Sequence, residues 1–349
     1  MYPDNAVSAA GPGIVSKGSR ATRRTGRVGA FFVLTTLVAA ATAAGVLVSA
    51  KSAVGTVHRL DAVTPALSPP SDTVENFLLV GSDSRANSDP NSPDFGGIGG
   101  TTDVQGGRSD TIMVLRRDRN TGAAALLSIP RDLWVTVAGT GKQNRINGVY
   151  SSGPDALVTT IRQELGIPVH HYIEIDFSGF KNLVEAIGGV QMCFRYPTRD
   201  TNTGLNITEP GCFVLDGVQA LAFARSRHYE EFRDGDWHED GTADLGRTKR
   251  QRQFVDTALA TTLSRLKQNP FLVGDLIRSM GSSLTVDGDL DMIGAATSLR
   301  TAVGGGLTTY ALPVRGTTID GKSVLLLGAG SDAVLAYFGG QGPPPPAAG

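Results

Sequence analysis

Three Arg/Asp couples stand at the borders of apolar runs. Asp83 and Arg85 follow the run 76–80, Arg108 and Asp110 precede the run 111–115, and Arg131 and Asp132 follow the run 123–129. Apolar strands of an α/β sheet deliver such border residues to one edge. Two carboxylates brought together repel unless a proton or a cation lies between them. Asp83 and Asp110 therefore suit a Mg²⁺ site completed by phosphate oxygens. The same spacing fits two ordinary surface ion pairs, Asp83–Arg85 and Arg108–Asp110, and spacing alone leaves both readings open.

A second basic group comprises Arg225 and Arg227, then Arg247, Lys249, Arg250 and Arg252. Arg247 falls in the first turn of a helix predicted over 247–267. Helix N-termini attract anions, so a cation there is unfavourable unless an anion joins it. Arg247 and Gln251 share a helix face and can line one pocket. Lys249 and Arg252 read as a solvated face. The acidic stretch 228–244 reads as a mobile flap. A zinc site built from His228, Asp236, His238 and Asp240 matches no closed ligand spacing. The signatures of serine hydrolases, zinc peptidases, P-loops and dinucleotide folds do not occur in a useful context.

The elements that must position these residues alternate. Strands are expected over 76–80, 111–115, 123–129 (continued by 133–137), 172–177 and 190–194. Helices are expected over 154–165, 180–187 and 247–267, with a short one capped by Asp216. The alternation implies an α/β architecture, a central mixed β-sheet flanked by helices. The 86–107 segment is a long Gly/Ser/Asn/Asp/Pro loop, more often functional than idle. Cys193 and Cys212 form an even pair, which in an exported domain reads as a disulfide worth about 3 kcal/mol.

The N-terminus decides the compartment. Residues 1–27 are basic and without apolar period, and 28–50 is a run of 23 residues without a charge. A helix of that length spans a hydrocarbon core of about 30 Å. The basic flank places the N-terminus in the cytoplasm and the rest outside. Val48-Ser49-Ala50 also resembles a signal-peptidase site, but the apolar run exceeds a signal h-region of about 7–15 residues, which favours an uncleaved anchor. The expected organisation is a disordered basic tail (1–27), a transmembrane helix (28–50), a stalk (51–74), one extracytoplasmic catalytic domain (75–338) and a Pro-rich disordered tail (339–349).

The 349 residues carry 32 Lys+Arg against 33 Asp+Glu, a net charge of −1, which argues against a general nucleic-acid binder. A 40% hydrophobic content excludes a mainly disordered chain. The basic residues are 25 Arg and only 7 Lys. Arg is the planar, bidentate partner of phosphate, although a GC-rich genome produces the same skew.

NFLLVGSDSR, GGRSDTIMVL, LLSIPRDLWV, RINGVY, YIEIDFSGF, LDGVQALAFARSR and DLGRTKRQRQF occur in that order. Together they resemble the LytR-CpsA-Psr family of bacterial cell-wall enzymes over roughly 76–266, with actinobacterial members most similar in character. The resemblance implies a phosphotransferase that moves a glycopolymer, arabinogalactan in this case, from a polyprenyl pyrophosphate carrier onto peptidoglycan. It implies Mg²⁺ (or Mn²⁺) on Asp83 and Asp110. It implies pyrophosphate contacts from Arg85, Arg108, Arg131, Arg225, Arg227, Arg247 and Gln251, with Arg131 and Asp132 in the catalytic PRD motif. The partners it implies are the lipid-linked glycopolymer, the peptidoglycan acceptor and the cytoplasmic membrane, without nucleic acid. Arg145 stands where the family usually has Lys. Two other readings remain: a polyprenyl pyrophosphate phosphatase, and a non-catalytic envelope binding or regulatory protein.

Overall fold

The apolar runs become the middle of a mixed sheet. A computed structural model describes residues 55, 57–82, 109–240, 250, 253–254, 257–258, 261–262, 264–265, 272–292, 294–295 and 307–346. In chain order the elements are β1 (His58–Leu60), β2 (Val74–Ser82), β3 (Ser109–Asp118), β4 (Ala124–Ile129), β5 (Trp134–Thr136), β6 (Gln143–Arg145), α1 (Ile146–Val149), α2 (Pro154–Glu164), β7 (His171–Ile175), α3 (Phe177–Ala186) and β8 (Val190–Phe194). They continue with β9 (Thr198–Asp200), β10 (Leu205–Ile207), β11 (Gly211–Leu215), α4 (Gly217–Arg225), β12 (Glu230–Arg233), β13 (Asp236–Glu239), α5 (Leu272–Met280), β14 (Leu284–Asp287), β15 (Leu307–Ala311), β16 (Val314–Ile319), β17 (Lys322–Leu327) and α6 (Ser331–Phe338).

The main sheet runs β1-β14-β7-β2-β3-β4-β15. β2 pairs antiparallel with β3 and parallel with β7. Central strands of such a sheet are covered on both faces, hence their near-continuous apolar character. Alternate residues of β2 divide accordingly: Leu78 and Val80 join one core with Ile112, Leu127, Tyr172 and Ile161, while Phe77 joins another with Met113, Leu126 and Val286. A third core gathers Val190, Met192, Leu215, Phe223 and Phe254 beside a smaller sheet, β10-β9-β12-β13.

Local signals explain the helices. Pro154 opens α2, and Leu157, Val158 and Ile161 form its buried stripe. Truncating Leu157 to Ala would cost about 2–5 kcal/mol, the usual figure for a buried Leu. Asp176 caps α3 through Gly179 N, and Asp216 caps α4 through Gln219 N.

The structure departs from the expected organisation in four places. The segment 51–74 was expected as a stalk, but β1 pairs with β14 and Val63 is fully buried, so by His58 the chain is already part of the domain. Residues 133–137 do not continue β4; the proline at 130 lacks an N–H, a turn closes from Leu133 N to Pro130 O, and β5 pairs with β6 instead. The strand 172–177 stops at Ile175, because Asp176 is a helix cap. Within the acidic stretch 228–244, β12 and β13 form a hairpin joined to β9 rather than a mobile flap. Asp234 and Gly235 supply the two positive φ angles (53° and 86°) of its tight turn.

Among the described residues no helix is long and apolar enough to cross a membrane; the segments 1–27 and 28–50, and the loop 86–107, lie outside them.

Candidate active site

The sheet register brings Asp110, Arg131 and Asp132 to one edge. Gly81 lies opposite Thr111, and Ser82 opposite Ser109. The ladder slips between those two pairs, and the residue it skips is Asp110. Ile112 in turn faces Ile129, the last residue of β4, and Gly81 faces Ile175, the last residue of β7. The ends of β2, β4 and β7 and the start of β3 therefore share one edge. Asp83 follows directly on Ser82, and Arg131 and Asp132 follow on β4.

Asp83, Arg85, Arg108, Arg247 and Gln251 lie outside the described residues, and Asp110 is described as backbone only. Arg131, Asp132, Arg225 and Arg227 are described fully.

The turn after β4 is held from several sides. Leu133 is fully buried, Asn147 N donates to Arg131 O (3.0 Å), and Leu325 N donates to Asp132 O (2.9 Å). Asp132 sits between two guanidinium groups: its Oδ2 is 3.6 Å from Arg131 Nε, and its Oδ1 is 3.6 Å from Arg145 Nε. These are ion-pair distances, longer than a hydrogen bond. Arg145 thus keeps a cation beside Asp132.

Near the end of β7 lies a polar group that the sequence reasoning missed. Tyr150 OH donates to Glu174 Oε1 (2.5 Å), and Tyr172 OH donates to Glu174 Oε2 (2.6 Å). Burial, then the Glu174 charge, push both phenols well above the usual tyrosine range, so they stay protonated donors. The Ser82 hydroxyl pulls slightly the other way on Tyr150, without hydrogen-bond geometry. Ser82 Oγ and Ser109 Oγ are buried and have no hydrogen-bond partner among the described residues. Tyr150 was present in RINGVY, but only the fold brings it to Glu174.

Of the second basic group, Arg225 reaches the same edge through Phe177, two residues beyond β7. The Arg225 guanidinium lies over the Phe177 ring, 4.7 Å from its centroid. Arg227 follows in a loop whose backbone is bound by Asp200. Arg250 proves buried, stacked on Tyr229 at 4.4 Å. Cys193 and Cys212 face each other across β8 and β11 and are bonded, closing the segment that carries β9 and β10.

The LytR_cpsA_psr family model matches residues 40–333. The chain belongs to that family. It is 37% identical over 260 residues to a protein named probable cell wall biosynthesis protein LcpB, from Corynebacterium glutamicum, a match covering 74% of this chain and 58% of LcpB. The chain thus spans less than two thirds of that relative. It is 30% identical over 255 residues to an Oceanobacillus iheyensis protein named polyisoprenyl-teichoic acid–peptidoglycan teichoic acid transferase TagU, covering 70% of this chain and 69% of TagU. Among solved structures, a LytR-Csp2A-Psr enzyme from Actinomyces oris superposes with a TM-score of 0.64 at 25% identity, covering 81% of this chain and 95% of that one.

Proposed function

We propose that this protein is a phosphotransferase that moves a glycopolymer from a polyprenyl pyrophosphate carrier onto peptidoglycan. The observation that carries the reading is that the Arg131–Asp132–Arg145 group and, beside Phe177, Arg225 lie along the edge where β2 ends and β3 begins. The names of TagU and LcpB, which concern transfer to peptidoglycan and cell-wall biosynthesis, point the same way. Arabinogalactan is the polymer we favour, on the resemblance to actinobacterial members.

In this reading the acceptor hydroxyl gives up its proton to the departing phosphate and its oxygen forms a new P–O bond to the sugar-bearing phosphorus. The P–O–P bridge breaks, and polyprenyl phosphate leaves. The protein's task is positioning and charge stabilisation. Arg131, Arg225 and Arg227 bind the pyrophosphate oxygens, aided by Arg85, Arg108, Arg247 and Gln251. Asp132, with a guanidinium on either side, orients Arg131 and Arg145. Asp83 and Asp110 offer hard oxygen ligands at the slipped end of the β2–β3 ladder, and the orphaned hydroxyls of Ser82 and Ser109 suit an oxygen-rich neighbour. A Mg²⁺ ion held there would neutralise pyrophosphate charge. The run 28–50 would anchor the chain in the cytoplasmic membrane with its N-terminus inside, raising the effective concentration of a lipid-linked substrate.

The deciding experiment incubates the full-length protein in detergent with lipid-linked glycopolymer, with and without peptidoglycan. Polymer covalently joined to peptidoglycan is the expected product. Phosphate release to water alone, unchanged by acceptor, would instead identify a polyprenyl pyrophosphatase. Absence of turnover in both arms would leave a binding or regulatory protein.

A further inference from the structure

The turn that leads from Arg225, the last residue of α4, to Arg227 is gripped from both sides by buried polar side chains. Asp200, at the end of β9, has no solvent exposure. Its Oδ2 accepts hydrogen bonds from Ser226 Oγ (2.7 Å), Arg227 N (3.0 Å) and His228 N (3.0 Å). Its Oδ1 accepts from Asn202 N (2.9 Å), which fixes the carboxylate itself. On the other side Arg250, only 7% exposed, donates to Ser226 O (2.8 Å) and to Asp240 Oδ2 (2.8 Å). Ser226 is thus held by its hydroxyl to a buried anion and by its carbonyl to a buried cation. Its two sequence neighbours are the arginines.

Burying a carboxylate is expensive, and it is tolerated when several donors satisfy it. A neutral side chain is sufficient to cap an ordinary turn. Here four donors converge on one buried carboxyl group, which holds the turn at several points at once. Arg250 adds a second constraint: a planar fork reaches a carbonyl and a carboxylate together, which the single point of a Lys does not. Arg250 also stands three residues after Arg247 and one before Gln251, so the grip joins the loop to the segment bearing those two residues.

We propose that Asp200 and Arg250 are positioning residues, which fix the Ser226 backbone and so aim Arg225 and Arg227 at a pyrophosphate group. Arginines on a slack loop lose freedom on binding; on a clamped loop that loss is met during folding. The proposal rests on the phosphotransfer reading of the site.

The test measures binding of farnesyl pyrophosphate and inorganic pyrophosphate to the full-length protein in detergent by calorimetry. Failure of the unaltered protein to bind either probe removes the phosphotransfer reading, and the proposal with it. Given binding, Asp200→Asn and Arg250→Lys should each weaken it about 10- to 100-fold, the usual effect of losing bonds to a charged group. A double-mutant cycle separates aiming from general damage. On an Arg225→Ala/Arg227→Ala background, Asp200→Asn should change binding less than about two-fold, because its effect passes through those side chains. Equal losses on both backgrounds, or no loss in the single variants, overturn the proposal. Should Asp200→Asn fail to fold, Ser226→Ala removes one bond of the grip and is read through the same cycle.

Discussion

The guanidinium of Arg225 lies 4.7 Å from the centre of the Phe177 ring. Phe177 begins α3 immediately after the capping residue Asp176, so this contact ties the last residue of α4 to the end of β7. Cation–π attraction of this kind is worth about 0.5–2 kcal/mol, which corresponds to about 2- to 30-fold in affinity. Phe177→Leu keeps the apolar bulk and removes the ring face. We expect transfer activity (kcat/KM) to fall within that range, while Phe177→Tyr retains it. Equal activity of Phe177→Leu and the parent protein would show that Arg225 is aimed by other contacts.

Arg131 projects from a turn anchored by the buried Leu133 and by backbone bonds to Asn147 and Leu325. Such preorganised charge contacts typically carry about 10²–10³ in rate, so Arg131→Ala should nearly abolish transfer. Arg315, exposed on β16, serves as comparison, and Arg315→Ala should change little. Rates measured at saturating and limiting lipid substrate would show similar losses for both variants only if the pocket lies elsewhere.

Much of this arrangement was legible in the residues. The apolar runs announced the central strands, and Asp216 announced a helix cap, because burial and capping act on short stretches of chain. The Arg/Asp couples could be placed at strand borders, since a strand end is a local event. Glu174 gave no such signal. It sits in an apolar strand and becomes polar machinery only when Tyr150 arrives from α1's far end and Tyr172 from two residues away. Asp200 was equally silent, since its partners are 26 to 28 residues later in the chain. The proposed stalk failed for a related reason: a three-residue edge strand has too few residues for a periodic pattern, and its partner β14 is more than 200 residues away.

His171 opens β7 at the opposite end of that strand from the site. Its Nδ1 lies 3.4 Å from Asp287 Oδ2 and its Nε2 lies 3.7 Å from Glu75 Oε1. Burial favours the neutral ring, but Asp287 and Glu75 outweigh it and push the imidazole up to about 9 from 6.5. Glu75 is drawn down from 4.5 to about 2 by His171, against the opposing effect of burial, with help from Arg117 and Arg119. A raised folded-state value stabilises fully below pH 6.5, and that stabilisation is lost as pH climbs through 9. The Glu75 contribution runs the other way, present above pH 4.5 and lost as pH falls toward 2. Melting temperature should therefore decline between pH 6.5 and 9 by on the order of 5 °C. His171→Gln should flatten that slope; an unchanged slope would assign it to other groups.

The Cys193–Cys212 bond closes 19 residues of chain that include β9 and β10. The loop-entropy account assigns such a closure about 3 kcal/mol. For a domain of this size that is about 6–12 °C in melting temperature. The double variant Cys193→Ala/Cys212→Ala should lose stability in that range by thermal unfolding. Because Asp200 lies inside the closed segment, pyrophosphate binding should weaken together with stability. A loss of stability with unaltered binding would show that the closed segment holds its shape without the bond.

The last expectation concerns the metal. Ser82 and Ser109 are paired, Asp83 follows the first, and Asp110 is the residue that the ladder skips beside the second. If the two carboxylates share no cation, Asp83→Asn relieves repulsion and leaves transfer largely intact. If they hold Mg²⁺ against a pyrophosphate, Asp83→Asn and Asp110→Asn each cut transfer sharply while melting temperature is kept. The second outcome is the one we expect. Mg²⁺ dehydrates reluctantly and relies on substrate phosphates for ligands, so the ion should bind weakly until substrate is present. Transfer by the parent protein and both variants, measured across a Mg²⁺ titration with EDTA as control, distinguishes the cases. Calorimetric Mg²⁺ binding with and without farnesyl pyrophosphate adds a readout independent of turnover. Full activity in EDTA, or substrate-independent Mg²⁺ affinity in the Asp83→Asn/Asp110→Asn double variant, would leave a site that works through its arginines alone.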